Sequence, residues 1–89
     1  MASLFKNGEE VARLTKRRTQ PDSVTGVPTE IVTTYSIRSN GWVLKKSSWK
    51  PHGEKPFGGT WKRVKRLRDV DRGAALVVTQ LEQHGYARA

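Results

Sequence analysis

The chain has 89 residues, with 17 lysines and arginines against 8 acidic residues, which gives a formal net charge of +9. This length predicts one small basic domain over residues 1–89, and the absence of cysteine excludes disulfide bonds, thiolate zinc sites and cysteine nucleophiles. The longest apolar run, residues 74–78, is much shorter than the about 20 residues that cross a membrane.

The first residues contain no extended apolar stretch of the kind found in secretory signals. We therefore expect no membrane partner and a cytoplasmic location, either next to the nucleoid or, for a viral protein, in the cytoplasm of the host cell. A strongly basic chain is attracted to polyanions, so the charge favours nucleic acid as a partner.

The first part of the chain predicts strands and turns. Asn7-Gly8 lies between two short extended runs and predicts a type I′ turn, hence a first β-hairpin whose second arm ends near Arg18. Residues 20–28 collect turn-forming residues and predict a loop. Residues 29–39 are rich in β-branched and aromatic residues and predict the clearest strand.

A second hairpin is predicted around Asn40-Gly41, with a strand over residues 42–49. If Asn40-Gly41 forms a two-residue turn, Ile37 pairs with Leu44 and Tyr35 with Lys46. The predicted core face then carries Ile31, Tyr35, Ile37, Trp42 and Leu44. The opposite face, which would meet solvent or a ligand, carries Val32, Thr34, Ser36, Arg38, Val43, Lys45, Ser47 and Trp49.

The remaining chain predicts a loop, an ambiguous segment and a helix. Prolines and glycines recur through residues 50–60, which therefore predict a loop. Residues 61–68 fit a strand by alternation or a helix by a three-residue apolar spacing. We favour the strand, because Asp69 or Asp71 then supplies the N-cap of the next element.

Residues 71–84 predict an amphipathic helix. Ala74, Val77, Val78 and Leu81 recur at helical spacing, and Gly85 follows as the residue that ends the helix. Tyr86 is expected to fold back and close the core. The fold class is therefore α+β: a small antiparallel sheet of three to five strands over residues 1–68, with one C-terminal α-helix packed on one face and a short tail over residues 69–89.

Basic residues concentrate between residues 40 and 68, where Glu54 is the one acid, whereas residues 69–89 are nearly neutral. Lysine and arginine that neutralise phosphates release counterions, so this pattern predicts nucleic-acid binding by the sheet and its loops. DNA is favoured slightly over RNA because a twisted sheet can enter the major groove. The residues expected to contact nucleic acid are Arg38, Lys45, Lys46, Trp49, Lys50, Lys62, Arg63, Lys65 and Arg66.

The three tryptophans lie within or beside this basic region. Trp42 and Trp61 are predicted to belong to the core, since tryptophan supplies much of the buried area in a small chain. Trp49 is predicted on the face opposite Tyr35, where it would stack on bases or wedge between them. Arg38, on the same predicted face as Lys45, is expected to reach bases.

Two readings remain for Gly58-Gly59-Thr60: a loop that links two strands, which we favour, or an anion-binding nest of backbone N–H groups. The segment lacks the Gly-Lys-Ser/Thr ending of a nucleotide-binding P-loop.

No catalytic residue, cofactor site or metal site is predicted. His52 with Glu54 has no third ligand at a recognisable spacing, and no serine lies in a Gly-x-Ser-x-Gly context. The sequence thus predicts a non-enzymatic nucleic-acid-binding protein, with a ribosome- or chromosome-associated structural protein as a variant that lacks sequence preference.

The alternative class is a small protein-binding module or inhibitor, such as a phage or mobile element encodes. Its basic surface would then dock on an acidic partner in a host nucleic-acid-handling complex. Sequence specificity and oligomeric state stay open.

Overall fold

The computed structural model describes residues 8–88, and within them the chain forms strands and one helix. The elements are β1 (Glu10–Pro21), β2 (Pro28–Arg38), β3 (Trp42–Pro51), β4 (Phe57–Gly58), β5 (Lys62–Arg66), α1 (Val70–Gln83) and β6 (Ala87–Arg88). All pairings are antiparallel in one 6-stranded sheet of order β4-β3-β2-β1-β6, with β5 also paired to β3. The expected antiparallel sheet with a C-terminal helix is confirmed, but the sheet has more strands than the three to five predicted.

The additional strands lie in segments predicted to be irregular. β4 falls within the predicted loop over residues 50–60, and β6 falls within the predicted tail and pairs with Leu14 and Thr15. Asn7 and the first arm of the predicted N-terminal hairpin lie outside the described residues. The favoured strand between residues 61 and 68 is confirmed as β5.

The loop predicted over residues 20–28 is shorter than expected, because β1 extends past Arg18 to Pro21 and β2 begins at Pro28. The carboxylate of Asp22 closes the turn by accepting the N–H groups of Val24 at 2.8 Å and Thr25 at 3.0 Å. These hydrogen bonds favour the ionised form, so the N–H groups of Thr25 and then Val24 lower the pKa of Asp22.

The β2–β3 connection is a three-residue loop, so the predicted two-residue turn is wrong. The N–H of Gly41 donates to the carbonyl of Arg38 at 3.0 Å, and Gly41 has φ +95°. A type I′ turn would need positive φ at Asn40 too, yet no non-glycine residue among residues 8–88 has one. Ile37 therefore pairs with Val43 and not with Leu44.

This one-residue difference places every side chain of β3 on the face opposite to the predicted one. The helix face, on which α1 packs, carries Leu14, Lys16, Arg18, Ile31, Thr33, Tyr35, Ile37, Val43, Lys45, Ser47, Trp49, Lys62 and Lys65. The open face carries Glu10, Arg13, Thr15, Arg17, Glu30, Val32, Thr34, Ser36, Arg38, Trp42, Leu44, Lys46, Ser48, Lys50, Arg63 and Arg66.

The core lies between the helix face and α1. Leu14 and Ile37 are fully buried there with Val43, against the predicted helix stripe Ala74, Val77 and Val78. Tyr86 closes this core as predicted, with its ring edge-on to Tyr35 at 5.3 Å between centroids.

The helix ends are capped as the sequence predicts. The side chain of Asp69 accepts the N–H of Arg72 at 3.2 Å, and Gly85 has φ +91° just after the helix. Among the described residues, α1 is too short and too polar to cross a membrane.

Candidate nucleic-acid interface

The structure divides the predicted contact residues between the two faces of the sheet. Arg38, Lys46, Lys50, Arg63 and Arg66 lie on the open face, whereas Lys45, Trp49, Lys62 and Lys65 lie on the helix face. The sequence prediction placed Arg38, Lys45 and Trp49 on one face, and this is wrong because the three-residue loop shifts the register of β3.

Trp61 lies across the open face. Its ring centroid is 4.8 Å from Nζ of Lys46 on β3 and 5.8 Å from the guanidinium carbon of Arg13 on β1. Because β2 runs between these two strands, the contacts with both cations place the ring over β2. Each cation lies within the range of a cation–π contact.

Trp42 forms a second aromatic–cation group at one end of the open face. Its ring centroid is 4.6 Å from the guanidinium carbon of Arg63 and 5.5 Å from that of Arg66, and Arg66 is its cross-strand partner on β5. Trp42 and Trp61 are half-buried and neither joins the core cluster under α1, so their predicted core role is wrong.

Arg38 is held inside the open face and does not project from it. Its side chain is 13% exposed and donates to the carbonyl of Gly8 at 2.8 Å and to Oγ of Ser36 at 3.2 Å. Ser36 in turn donates to the carboxylate of Glu10 at 2.7 Å, which also lies 3.5 Å from Arg38. These contacts tie β2 to the start of β1, and they leave Arg38 badly placed to reach bases.

The carboxylates of the open face form ion pairs with some of the cations on that face. Glu10 pairs with Arg13 at 3.0 Å as well as with Arg38, and Glu30 pairs with Arg17 at 3.3 Å. Within residues 8–88 no carboxylate lies within 4.0 Å of the basic groups of the remaining open-face cations. These are Lys46, Lys50, Arg63 and Arg66.

Sequence reasoning missed Arg13, Arg17, Trp42 and Trp61 as members of this surface. Arg13, Thr15 and Arg17 alternate with the buried Leu14 along β1, and this alternation was the available signal for β1. Trp61 precedes β5, so strand alternation alone did not show that its ring reaches β2.

A separate cleft of about 480 Å³ lies on the helix face between β3 and β5. It is lined by Lys45, Ser47, Trp49, Gly58, Thr60 and Lys62, among others. Trp49 is 38% exposed and stacks on Phe57 with centroids 6.0 Å apart, so its predicted exposure is confirmed although its face is not. Gly59 donates its N–H to the carbonyl of Ser47 at 2.9 Å, which takes this donor away from the nest considered for the segment.

Neither a metal site nor a known relative indicates a function for this surface. In the described part of the chain, no group of three or more His, Asp or Glu side chains could hold a metal ion. No match was found when the chain was compared with protein-family models, curated proteins and solved structures. The case for a function therefore depends on the geometry and charge of the chain itself.

Proposed function

We propose that this protein binds nucleic acid, with duplex DNA favoured over RNA, through the open face and without catalysing a reaction. The observation that carries the proposal is the layer of Trp42 and Trp61, each bracketed by two cations, on the sheet face that α1 leaves uncovered. Four of the cations on this face have no carboxylate oxygen within 4.0 Å among residues 8–88.

The four cations without a carboxylate partner are suited to phosphate contacts. Lys46, Lys50, Arg63 and Arg66 extend along β3 and β5, so they can meet successive phosphates of one strand. Each phosphate neutralised releases condensed counterions and strengthens binding at low salt. Arginine also offers a planar pair of donors that matches a guanine edge in the major groove.

The dimensions of the face favour the major groove of B-DNA. The four cations without a carboxylate within 4.0 Å all lie on β3 and β5, an antiparallel pair of strands about 4.8 Å apart at one side of the sheet. The major groove, about 12 Å wide, admits a two-stranded ribbon of this kind. The deep, narrow major groove of A-form RNA admits no such sheet, which is why duplex DNA is the favoured ligand.

The proposal is tested by fluorescence polarisation with labelled duplex DNA, single-stranded DNA and RNA, each across a salt series. With Lys46, Lys50, Arg63 and Arg66 on phosphates, we expect the logarithm of the duplex affinity to fall against log salt with a slope of about −3.6. Duplex DNA should bind more tightly than duplex RNA at every salt concentration.

Affinity that is weak for all three ligands and flat across the salt series would contradict nucleic-acid binding. In that case the basic surface would be assigned to the protein-binding alternative. Co-purification with one stoichiometric acidic protein would then be the expected observation.

A further inference from the structure

We propose that the cleft between β3 and β5 is a second binding site, which takes one nucleoside phosphate. We call it the β3–β5 cleft; its walls are formed by Lys45, Ser47, Trp49, Gly58, Thr60 and Lys62. Lys45, Trp49 and Lys62 belong to the helix face. Arg63 also lines the cleft, but its guanidinium lies against Trp42 on the open face. The inference therefore goes beyond the proposed function and does not depend on it.

Two lysines in the cleft indicate an anionic ligand. Lys45 and Lys62 are direct cross-strand partners between β3 and β5. Like charges directly opposite in an antiparallel pair destabilise it, and no carboxylate lies among the described residues that line the cleft. The ammonium of Lys45 lies 5.7 Å from the ring centroid of Tyr35 on β2. A phosphate in the cleft would form an ion pair with Lys62 and draw the flexible Lys45 side chain towards a second one.

Trp49 supplies an aromatic wall for the same ligand. Its ring stacks on Phe57 at an interplanar angle of 18°, and the backbone of Gly58 lies so close that an added Cβ would come within 2.6 Å of two ring atoms. These contacts hold the indole in place, while 38% of the residue stays exposed and lines the cleft. A fixed, partly exposed indole is a surface on which a base can stack.

Size and polarity restrict the ligand further. The volume of about 480 Å³ lies within the usual range of small-ligand sites, about 300–1,000 Å³. The hydroxyl groups of Ser47 and Thr60 add polar contacts between the lysine pair and the indole. A planar base joined through a sugar to a phosphate combines the features that these walls recognise, whether it is a free mononucleotide or an unpaired nucleotide of a strand.

The site is tested by following the three indole N–H signals in ¹H–¹⁵N spectra while adenosine 5′-monophosphate is added, with Trp49 assigned from W49F. We expect a saturable shift of the Trp49 signal. Adenosine and inorganic phosphate, added separately, should each bind about tenfold more weakly or worse, since each lacks one of the two recognised parts.

A single-stranded, 5′-phosphorylated hexanucleotide then separates the two sources of the ligand. Affinity about tenfold above that of the mononucleotide would assign the cleft to an unpaired nucleotide of a strand, because neighbouring phosphates add contacts. Equal affinity would assign it to the free mononucleotide. Either result supports the site.

The matched variants are K62Q, which removes one lysine of the pair, and K55Q, which makes the same charge change in a loop outside the cleft lining. K62Q should weaken binding of adenosine 5′-monophosphate by about fivefold, as expected for one partly exposed ion pair, and K55Q should leave it unchanged. No Trp49 shift, equal binding of adenosine and its monophosphate, or equal effects of the two variants would overturn the proposal.

The same variants keep failure of this site distinct from failure of the open face. K62Q should bind duplex DNA with the affinity of K55Q. A variant of the open face, K46Q/R66Q, should in turn bind the mononucleotide as the unaltered protein does, because neither residue lines the cleft.

Discussion

The two faces of the sheet differ in the side chains that cover them. On the helix face, Leu14, Ile37 and Val43 are sealed by α1 into an apolar core. On the open face, Ser36 is equally buried, yet its contacts are the polar side chains of Glu10 and Arg38 and not α1. The Trp61 ring lies on this face against Lys46 and Arg13, so tryptophan in a small basic chain need not join the core.

Arg38 and Arg66 show the same contrast within the open face. Both are arginines on neighbouring parts of the sheet, but Arg38 is bound by Gly8, Ser36 and Glu10, whereas Arg66 is exposed and contacts Trp42. A cation such as Arg38, which is bound to acceptors on two strands, holds those strands together. A cation such as Arg66, which has no carboxylate nearby, remains available to a polyanion.

The largest expected effect is on stability and comes from a substitution in the core beneath α1. Leu14→Ala removes a fully buried side chain from the core and should lower the free energy of unfolding by about 2–5 kcal/mol. Val11→Ala, in the same strand but half exposed, should change it by less than about 0.5 kcal/mol. Urea unfolding followed by circular dichroism measures both, and similar losses for the two variants would contradict the assignment of the core.

The second-largest effect is on stability and is expected at Gly41, in the loop that sets the register of β3. Gly41 and Gly53 both have positive φ, but a Cβ at Gly41 would lie 2.5 Å from the carbonyl oxygen of Leu67, whereas one at Gly53 meets nothing within 4 Å. Gly53→Ala should cost about 1–2 kcal/mol from φ alone. Gly41→Ala should cost more in the same urea experiment, and equal costs would contradict the close approach.

The third effect is on affinity. K46Q/R66Q removes one cation from each tryptophan group of the open face, and we expect duplex DNA affinity to fall at least about tenfold at low salt, with a salt slope shallower by about 1.8. K65Q/R72Q makes the same charge change at exposed positions on the helix face and on α1. If polarisation titrations give the two double variants the same affinity and slope, net charge and not the open face would explain binding.

The smallest effect concerns Tyr86, which packs on the helix face. Burial raises the pKa of its hydroxyl above the ordinary value, with a further contribution from Tyr35. The pKa of Tyr86 is higher in the folded than in the unfolded protein. The contribution of this group to the free energy of unfolding is therefore fully present below the unfolded-state pKa, and it is lost as the pH rises through the folded-state pKa. In Y35F, absorbance titration at 295 nm should place Tyr86 ionisation above pH about 10 and return it towards that value in urea. An unchanged midpoint in urea would contradict the burial.

The sequence predicted those parts of the fold that depend on local pattern. The apolar spacing of residues 74–81, the cap at Asp69 and the strand character of residues 62–66 are each set by nearby residues, and each is confirmed. The register of β3 depends on whether the chain around Asn40-Gly41 turns in two residues or three. In the structure this choice coincides with a tertiary contact, since Gly41 packs against Leu67.

The candidate surface was predictable in composition but not in arrangement. Alternation of basic residues along β3 and β5 indicated a cationic sheet, yet it could not show that Arg38 meets Glu10 across 28 positions of sequence. Nor could it show that Trp61 crosses β2, because that position depends on the path of the loop before β5. Long-range packing determines which cations lie next to a carboxylate and which do not.

The most direct test of the open face follows the three indole N–H signals during titration with a short DNA duplex. If the open face binds the duplex, the Trp42 and Trp61 signals shift in proportion to the bound fraction while the Trp49 signal, on the other face, stays in place. A shift of Trp49 with Trp42 and Trp61 unchanged would contradict it and would assign duplex binding to the helix face.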